Sequence, residues 1–235
     1  MCIRDSTFIF GPPGTGKTAV TRFVFRQFEE YSERIKTIYI NCWDYKTSHA
    51  ILTKLVLECG VFTPRRGIGK DEVLEKFLEI CRKTEKGFIL GLDEVDQLVL
   101  RDPSALYDLL RINQYVKNPI GIIFISNDKD VFVNLDDRIR SSMSIEEMEF
   151  KPYSIQEMKD ILKERVKEAF FKVESGVILL AAAHAVKKGG DVRVGLECLL
   201  KAGRLAEKAI NLILKTESMK KSLNIEIIAG MKAIF

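Results

Sequence analysis

Histidine is nearly absent from this chain. It occurs only as His49 and His184, and neither has the surroundings of a metal-binding pair. The five cysteines, at positions 2, 42, 59, 81 and 198, show no ligand spacing, and their odd number argues against a disulfide framework. A protein-built zinc centre is therefore not expected. No apolar run is long enough to span a bilayer and no secretory signal is visible, so no membrane partner and a reducing, cytoplasmic setting are expected. Internal repeats and low-complexity tracts are missing too, which excludes solenoids. Neither sign of charge dominates: 37 Lys and Arg against 33 Asp and Glu leave a net charge of +4. That mild excess permits a nucleic-acid partner without requiring one.

What is present suits a folded enzyme-sized chain. Apolar residues make up 46% and charged residues 30% of 235 positions, enough to build a core in one large or two smaller domains. Short β-branched runs at 7–10 (TFIF), 36–42 (KTIYINC), 87–93 (GFILGLD), 120–126 (IGIIFIS) and 144–150 (SIEEMEF) read as buried parallel strands. Helical patterns lie between them, at about Lys17–Tyr31, Ser48–Cys59, Asp71–Lys83 and Pro103–Val116. The alternation predicts an α/β domain over 1–150 with a parallel five-stranded sheet. Beyond Lys151-Pro152 only helices are expected, at about Ile155–Ala169, Ser175–Lys187 and Asp191–Thr216, followed by an apolar stretch after Leu223; together they form a small helical domain over 151–235. The leading MCIRDS has no logic as a lead-in to a strand starting at Thr7, and the chain stops inside an apolar segment at Ile234-Phe235. The sequence is therefore expected to be a fragment of a longer protein.

The chemistry starts at GPPGTGKT, residues 11–18, which fits the phosphate-loop pattern between a strand and a helix. Gly11, Gly14 and Gly16 let the backbone N–H groups of Gly11 and Gly14–Ala19 curl round an anion, with Pro12, Pro13 and Thr15 completing the turn. The following helix points its positive end at the same place. Lys17 would reach the β- and γ-phosphates, and Thr18 would ligate magnesium. ATP and Mg2+ are thus the expected cofactors. GFILGLDEVD ends its strand in Asp93-Glu94. Carboxylates at the carboxyl edge of a parallel sheet face the ligand crevice. Asp93 would hold magnesium, and Glu94 would act as general base on the attacking water. A glutamate directly after the aspartate separates this ASCE-type P-loop division from GTPase-like proteins. Asn127 follows another buried strand, where its amide can contact the γ-phosphate or water, or simply end the strand in a turn. Arg138 and Arg140 read as loop residues. Arg193 falls in the first turn of a helix capped by Asp191, where a cation invites an anion, ATP phosphate or otherwise.

GPPGTGKT, LDEVD, ISND, LDDRIRSS, the KPYS step and GGDVRVG, in this order, resemble the AAA+ ATPases. They are most similar to the archaeal replication initiators, the origin recognition complex subunit one and cell division control protein six family. INCWDYKTSHAIL resembles that family's segment carrying an extra, initiator-specific helix. The resemblance implies an AAA+ domain with a helical lid. It implies Asn127 as sensor one, Arg193 as sensor two, Arg138 before Arg140 as the arginine finger, and Tyr153 near the adenine. It implies a switch-like ATPase that binds duplex origin DNA, assists helicase loading and works with other initiator subunits near the nucleoid. DNA contact is expected within residues 46–70, with Lys46, Thr47, Ser48 and Lys54 as exposed candidates and Arg65, Arg66 and Lys70 in the following loop. From the residues alone a solvated basic loop serves as well, and the stripe of Ile51, Leu52, Leu55 and Val56 reads as core. Trp43 reads as packing. The winged-helix domain of the family is missing, as is the segment before the first strand. Clamp loaders and Holliday-junction motors of the same superfamily, or a signalling P-loop ATPase, are the alternatives; the Ser-Arg-Cys triplet usual in clamp loaders is absent.

Overall fold

Runs of β-branched residues with no polar alternation can be buried only in a sheet covered on both faces. The structure, a computed structural model, has that form and describes residues 6–64 and 67–215. Cys2, Arg65, Arg66 and the apolar stretch after Leu223 lie outside the described residues. Contacts divide the chain into two compact units, Met1–Gly11 with Gly16–Phe150, and Pro12–Thr15 with Lys151–Phe235.

The first unit holds five parallel strands: β1 (Ser6–Phe10), β2 (Ile35–Asn41), β3 (Gly87–Asp93), β4 (Ile120–Ser126) and β5 (Ile145–Glu149). Their order is β2-β3-β4-β1-β5. The register sets Asn41 beside Asp93 and Phe10 beside Ser126, so the carboxyl ends of β1 to β4 line up at one edge. β1 begins one residue earlier than expected, with Ser6 paired to Ile122 and Ile145. β5 is not a buried strand: four of its five residues are exposed. It is one of the two edge strands, and Glu146, Glu147 and Glu149 give it the charge that protects a sheet edge.

The helices of this unit are α1 (Lys17–Tyr31), α2 (Ser48–Glu58), α3 (Lys70–Lys83), α4 (Val95–Arg101), α5 (Ser104–Arg111) and α6 (Asp137–Ser142). Three departures from the sequence expectations have local causes. α4 follows directly on Glu94, which caps it in a left-handed conformation. The long helix expected over 103–116 ends at Arg111, and a 3-10 turn at Ile112–Gln114 follows. Arg138 and Arg140 sit in a helix and not in a loop, because the Asp136 side chain accepts the Arg138 N–H at 2.8 Å and caps α6.

On α2, Ile51, Leu52, Leu55 and Val56 are fully buried and share one core with Val73 and Phe77 of α3 and with Leu90, Leu92 and Phe124 of the sheet. Ser48 is buried as well and is no surface contact. Its N–H donates to Asp102 at 2.8 Å and its hydroxyl to Asp108 at 2.9 Å. Lys70, at the start of α3, donates to the same Asp108 oxygen at 2.9 Å. The two helices therefore start at the same end of the unit.

In the second unit, α7 (Ile155–Ala169), α8 (Ser175–Lys187) and α9 (Val192–Lys215) enclose a core of their own around Met158, Leu162, Ile178, Ala182 and Ala185. A capping box between Ser154 and Glu157 fixes the start of α7. Gly195 lets α9 approach Leu162, which a Cβ there would meet at 2.9 Å.

Truncating Leu55, fully buried on α2, to alanine is expected to cost about 2–5 kcal/mol of unfolding free energy. Denaturant unfolding followed by circular dichroism measures it; a change near zero would return that stripe to the surface.

Candidate functional site

The site is built where the carboxyl ends of β1, β3 and β4 meet the start of α1. β1 ends at Phe10, and the chain then needs backbone shapes that only glycine adopts freely: φ is 147° at Gly11, 76° at Gly14 and 89° at Gly16. Gly16 precedes the first turn of α1 and offers no side-chain cap, so the helix N–H groups there stay open to an anion. Lys17 is folded back under the loop. It is 6% exposed, and its ammonium donates to Gly11 O at 2.6 Å and to Asn127 Oδ1 at 2.9 Å. Asn127, one residue past β4, is thereby brought to the loop although 110 positions separate it from Lys17.

The second half of the site is Asp93, at the end of β3 and only 5% exposed. Its Oδ2 accepts from the Thr18 hydroxyl at 2.6 Å and from the Tyr39 hydroxyl at 2.5 Å, and its Oδ1 accepts from the Glu94 N–H at 2.9 Å. Burial, then the neighbouring Asp93, hold the Tyr39 hydroxyl well above the ordinary phenol range. Thr18 and Asp93 together form a pair of hard oxygen donors. That pair suits magnesium bound by one or two protein oxygens, with phosphate oxygens and water completing its shell. Among the described residues no cluster of three or more His, Cys, Asp or Glu could cage a metal.

Glu94 is the only non-glycine with positive φ among the described residues, at 53°. This conformation turns the chain from β3 directly into α4. Burial, and then the charges of Asp93 and Asp96, hold the Glu94 carboxyl above its ordinary range; a hydrogen bond from Asn41 pulls it partly back. A carboxylate so placed is a stronger proton acceptor than one in water. Asn41 keeps its carbonyl oxygen on the Trp43 N–H at 2.7 Å, which leaves its amide NH2 for Glu94. Nearby Cys42 has its thiol pushed up to about 12, by burial first and then by Asp93, Asp96 and Glu94. It is an inert core residue.

Sequence reasoning missed Asn41 and Tyr39. They lie two residues apart on β2, and the alternation of a strand puts them on one face. Only the register with β3 shows that this face is the one carrying Asp93.

Other expected residues stand apart. Arg140 is paired with Asp137 at 2.5 Å, whereas the guanidinium of exposed Arg138 makes no hydrogen bond or ion pair among the described residues. In the second unit, Asp191 caps α9 through the Arg193 N–H at 2.8 Å, and its carboxylate also takes the Arg193 guanidinium at 2.8 Å. The anion that Arg193 meets here is therefore Asp191. Within the same unit, the Tyr153 hydroxyl donates to Thr15 O at 2.9 Å, the Thr15 hydroxyl to Pro12 O at 2.9 Å, and the Val192 N–H to Gly14 O at 3.4 Å. Pro13 and Ala19 are exposed.

Among the residues expected to meet DNA, Lys70 is tied to Asp108 and Lys54 to Glu58. Trp43 is not buried packing: it is 56% exposed, with the Lys46 ammonium 4.4 Å from its ring centroid.

Comparison with known proteins identifies the family of the fold. The AAA domain family matches residues 4–129, and the Cdc6 AAA+ ATPase-type lid domain matches residues 159–222. ORC1-type DNA replication protein 1 of Archaeoglobus fulgidus is 39% identical over 226 residues, covering 93% of this chain and 55% of that protein. The ORC1-type DNA replication protein of Pyrococcus abyssi is 38% identical over 216 residues, covering 87% and 52%. The structure of the Aeropyrum pernix ORC1 protein in complex with DNA superposes with a TM-score of 0.77 at 32% identity, covering 87% of this chain and 55% of that one. The chain thus spans about half the length of the relatives it matches.

Replacing Lys17 by alanine removes the one ammonium that the loop wraps. Affinity for ATP is expected to fall roughly ten- to a hundred-fold, the size of a missing charged hydrogen bond. Equilibrium titration with a fluorescent ATP analogue measures this, and unchanged affinity would remove the loop from the site.

Proposed function

This chain belongs to the AAA family and carries a Cdc6-type lid, and from that premise we propose that it is an ATP-controlled initiator of DNA replication. The observation that carries the proposal is the meeting of Lys17, Thr18, Asp93, Glu94 and Asn127 at one sheet edge. Its relatives of the ORC1 type favour this reading over clamp loaders and junction motors.

In this reading Lys17 neutralises the β- and γ-phosphate oxygens, and the loop N–H groups orient the triphosphate. Thr18 and Asp93 hold Mg2+, which when bound supplies charge neutralisation to the phosphates. Glu94 accepts the proton of the attacking water, and its raised proton affinity suits that task. Asn127 shares Lys17 in this structure and would turn its amide to the γ-phosphate or the water. Arg138 acts on the nucleotide of a neighbouring subunit, Arg193 serves as the second sensor, and Tyr153 lies near the adenine, all three by the family pattern. Turnover is slow, and the nucleotide acts as a switch. The Glu94→Gln variant keeps the shape of the side chain but loses the base. It is expected to bind ATP like the parent while hydrolysis falls roughly 100-fold or more; phosphate release at the parental rate would remove Glu94 from the chemistry.

DNA contact is proposed within residues 46–70. Ser48, Lys54 and Lys70 are engaged internally, so the proposed contact falls to Lys46 and Thr47, near the exposed Trp43, and to Arg65 and Arg66. These residues suit phosphate contacts, which give affinity more than sequence preference. Neutralising Lys46, Arg65 and Arg66 together is expected to weaken duplex binding. It should also flatten the plot of log affinity against log salt by about 0.9 for each phosphate no longer neutralised. Fluorescence anisotropy over a salt series reads both, and an unaltered slope would place the DNA surface elsewhere.

A further inference from the structure

The catalytic roles proposed above leave Tyr39 and Arg22 without a task, yet both converge on the acid that would hold the metal. Tyr39 donates to Asp93 Oδ2 at 2.5 Å, the same oxygen that takes the Thr18 hydroxyl at 2.6 Å. The opposite oxygen takes the Glu94 N–H at 2.9 Å. Arg22, one helical turn after Thr18 on α1, lays its guanidinium over the Tyr39 ring, 4.1 Å from the centroid. One turn of α1 thus presents Thr18 to the carboxylate directly and Arg22 to the phenol that grips it.

We propose that Tyr39 is a positioning residue for the magnesium-holding carboxylate, orienting Asp93 through its hydroxyl while Arg22 fixes the plane of its ring. The inference rests on the reading of Thr18 and Asp93 as the pair that holds Mg2+. Its physical basis is that outer partners aim a ligating carboxylate and are costly to remove. The Thr18 hydroxyl has two duties, to the metal and to Asp93. The Tyr39 hydroxyl has no duty to the metal, so it keeps Asp93 Oδ2 oriented while Thr18 serves the metal. A tyrosine kept only to fill space would not need its oxygen, and phenylalanine would serve.

The test is the gain in ADP affinity that Mg2+ confers, measured calorimetrically as the ratio of affinities in saturating Mg2+ and in EDTA. The parent chain, Asp93→Asn, Tyr39→Phe and Arg22→Ala are compared, with melting curves to show that each is folded. Tyr39→Phe is expected to lose roughly ten-fold or more of the gain and to bind ADP in EDTA like the parent; Asp93→Asn should abolish the gain. Arg22→Ala is expected to lower the gain in the parent but not in a Tyr39→Phe background. If Tyr39→Phe keeps the full gain while Asp93→Asn loses it, Tyr39 only fills space and the proposal fails with the metal site intact. Equal weakening in Mg2+ and EDTA would also overturn it, since that marks a general defect. If Asp93→Asn keeps the gain, the metal reading itself falls, and this inference with it.

Discussion

A carboxylate that is 5% exposed must be answered by donors, and Asp93 is answered by three, from Thr18, Tyr39 and the Glu94 backbone. Left unanswered, such a group costs several kcal/mol, so the elements carrying its donors are bound to one geometry. Thr18 commits the start of α1, Tyr39 commits β2, and Glu94 commits the turn from β3 into α4. The arrangement that satisfies a buried charge is also the one that gathers the chemical groups of the site. Stability and function share the same hydrogen bonds here.

Lys17 plays the matching role for positive charge. Gly11 O and Asn127 Oδ1 accept from its ammonium, and both are neutral oxygens. Such acceptors meet the hydrogen-bonding needs of a buried ammonium. Next to Asp93 in the chain stands Glu94 in its left-handed conformation, a shape that costs a non-glycine residue roughly 1–2 kcal/mol. The cost is met by the sheet and by α4 on either side. In return the side chain is set within reach of the Asn41 amide.

Much of this was readable in the sequence because burial on both faces leaves an uninterrupted apolar run. β1, β3 and β4 could be placed that way, and the phosphate loop declares itself through glycines that no other residue can replace. β5 was harder, since an edge strand alternates charges that a helix could equally carry. The short helices α4 and α6 escaped because six or seven residues are too few to show a 3.6-residue period, and their starts rest on a strained glutamate and a capping aspartate. Asn41 and Tyr39 were hidden for a different reason: their meaning depends on register with β3, a long-range fact that no local pattern contains. Trp43 misled in the opposite direction, because a large aromatic is usually buried, while here a lysine covers it.

Asp108 has one more effect. By holding Ser48 and Lys70 on a single oxygen, it staples the beginnings of α2 and α3 together, whatever joins them. Closing a loop grows dearer only slowly with its length, by about 0.6 kcal/mol for each doubling. Length added between Cys59 and Gly69 would therefore cost little closure entropy, so long as Thr63 stays buried and Ile68 keeps its place against the core and its carbonyl on His49.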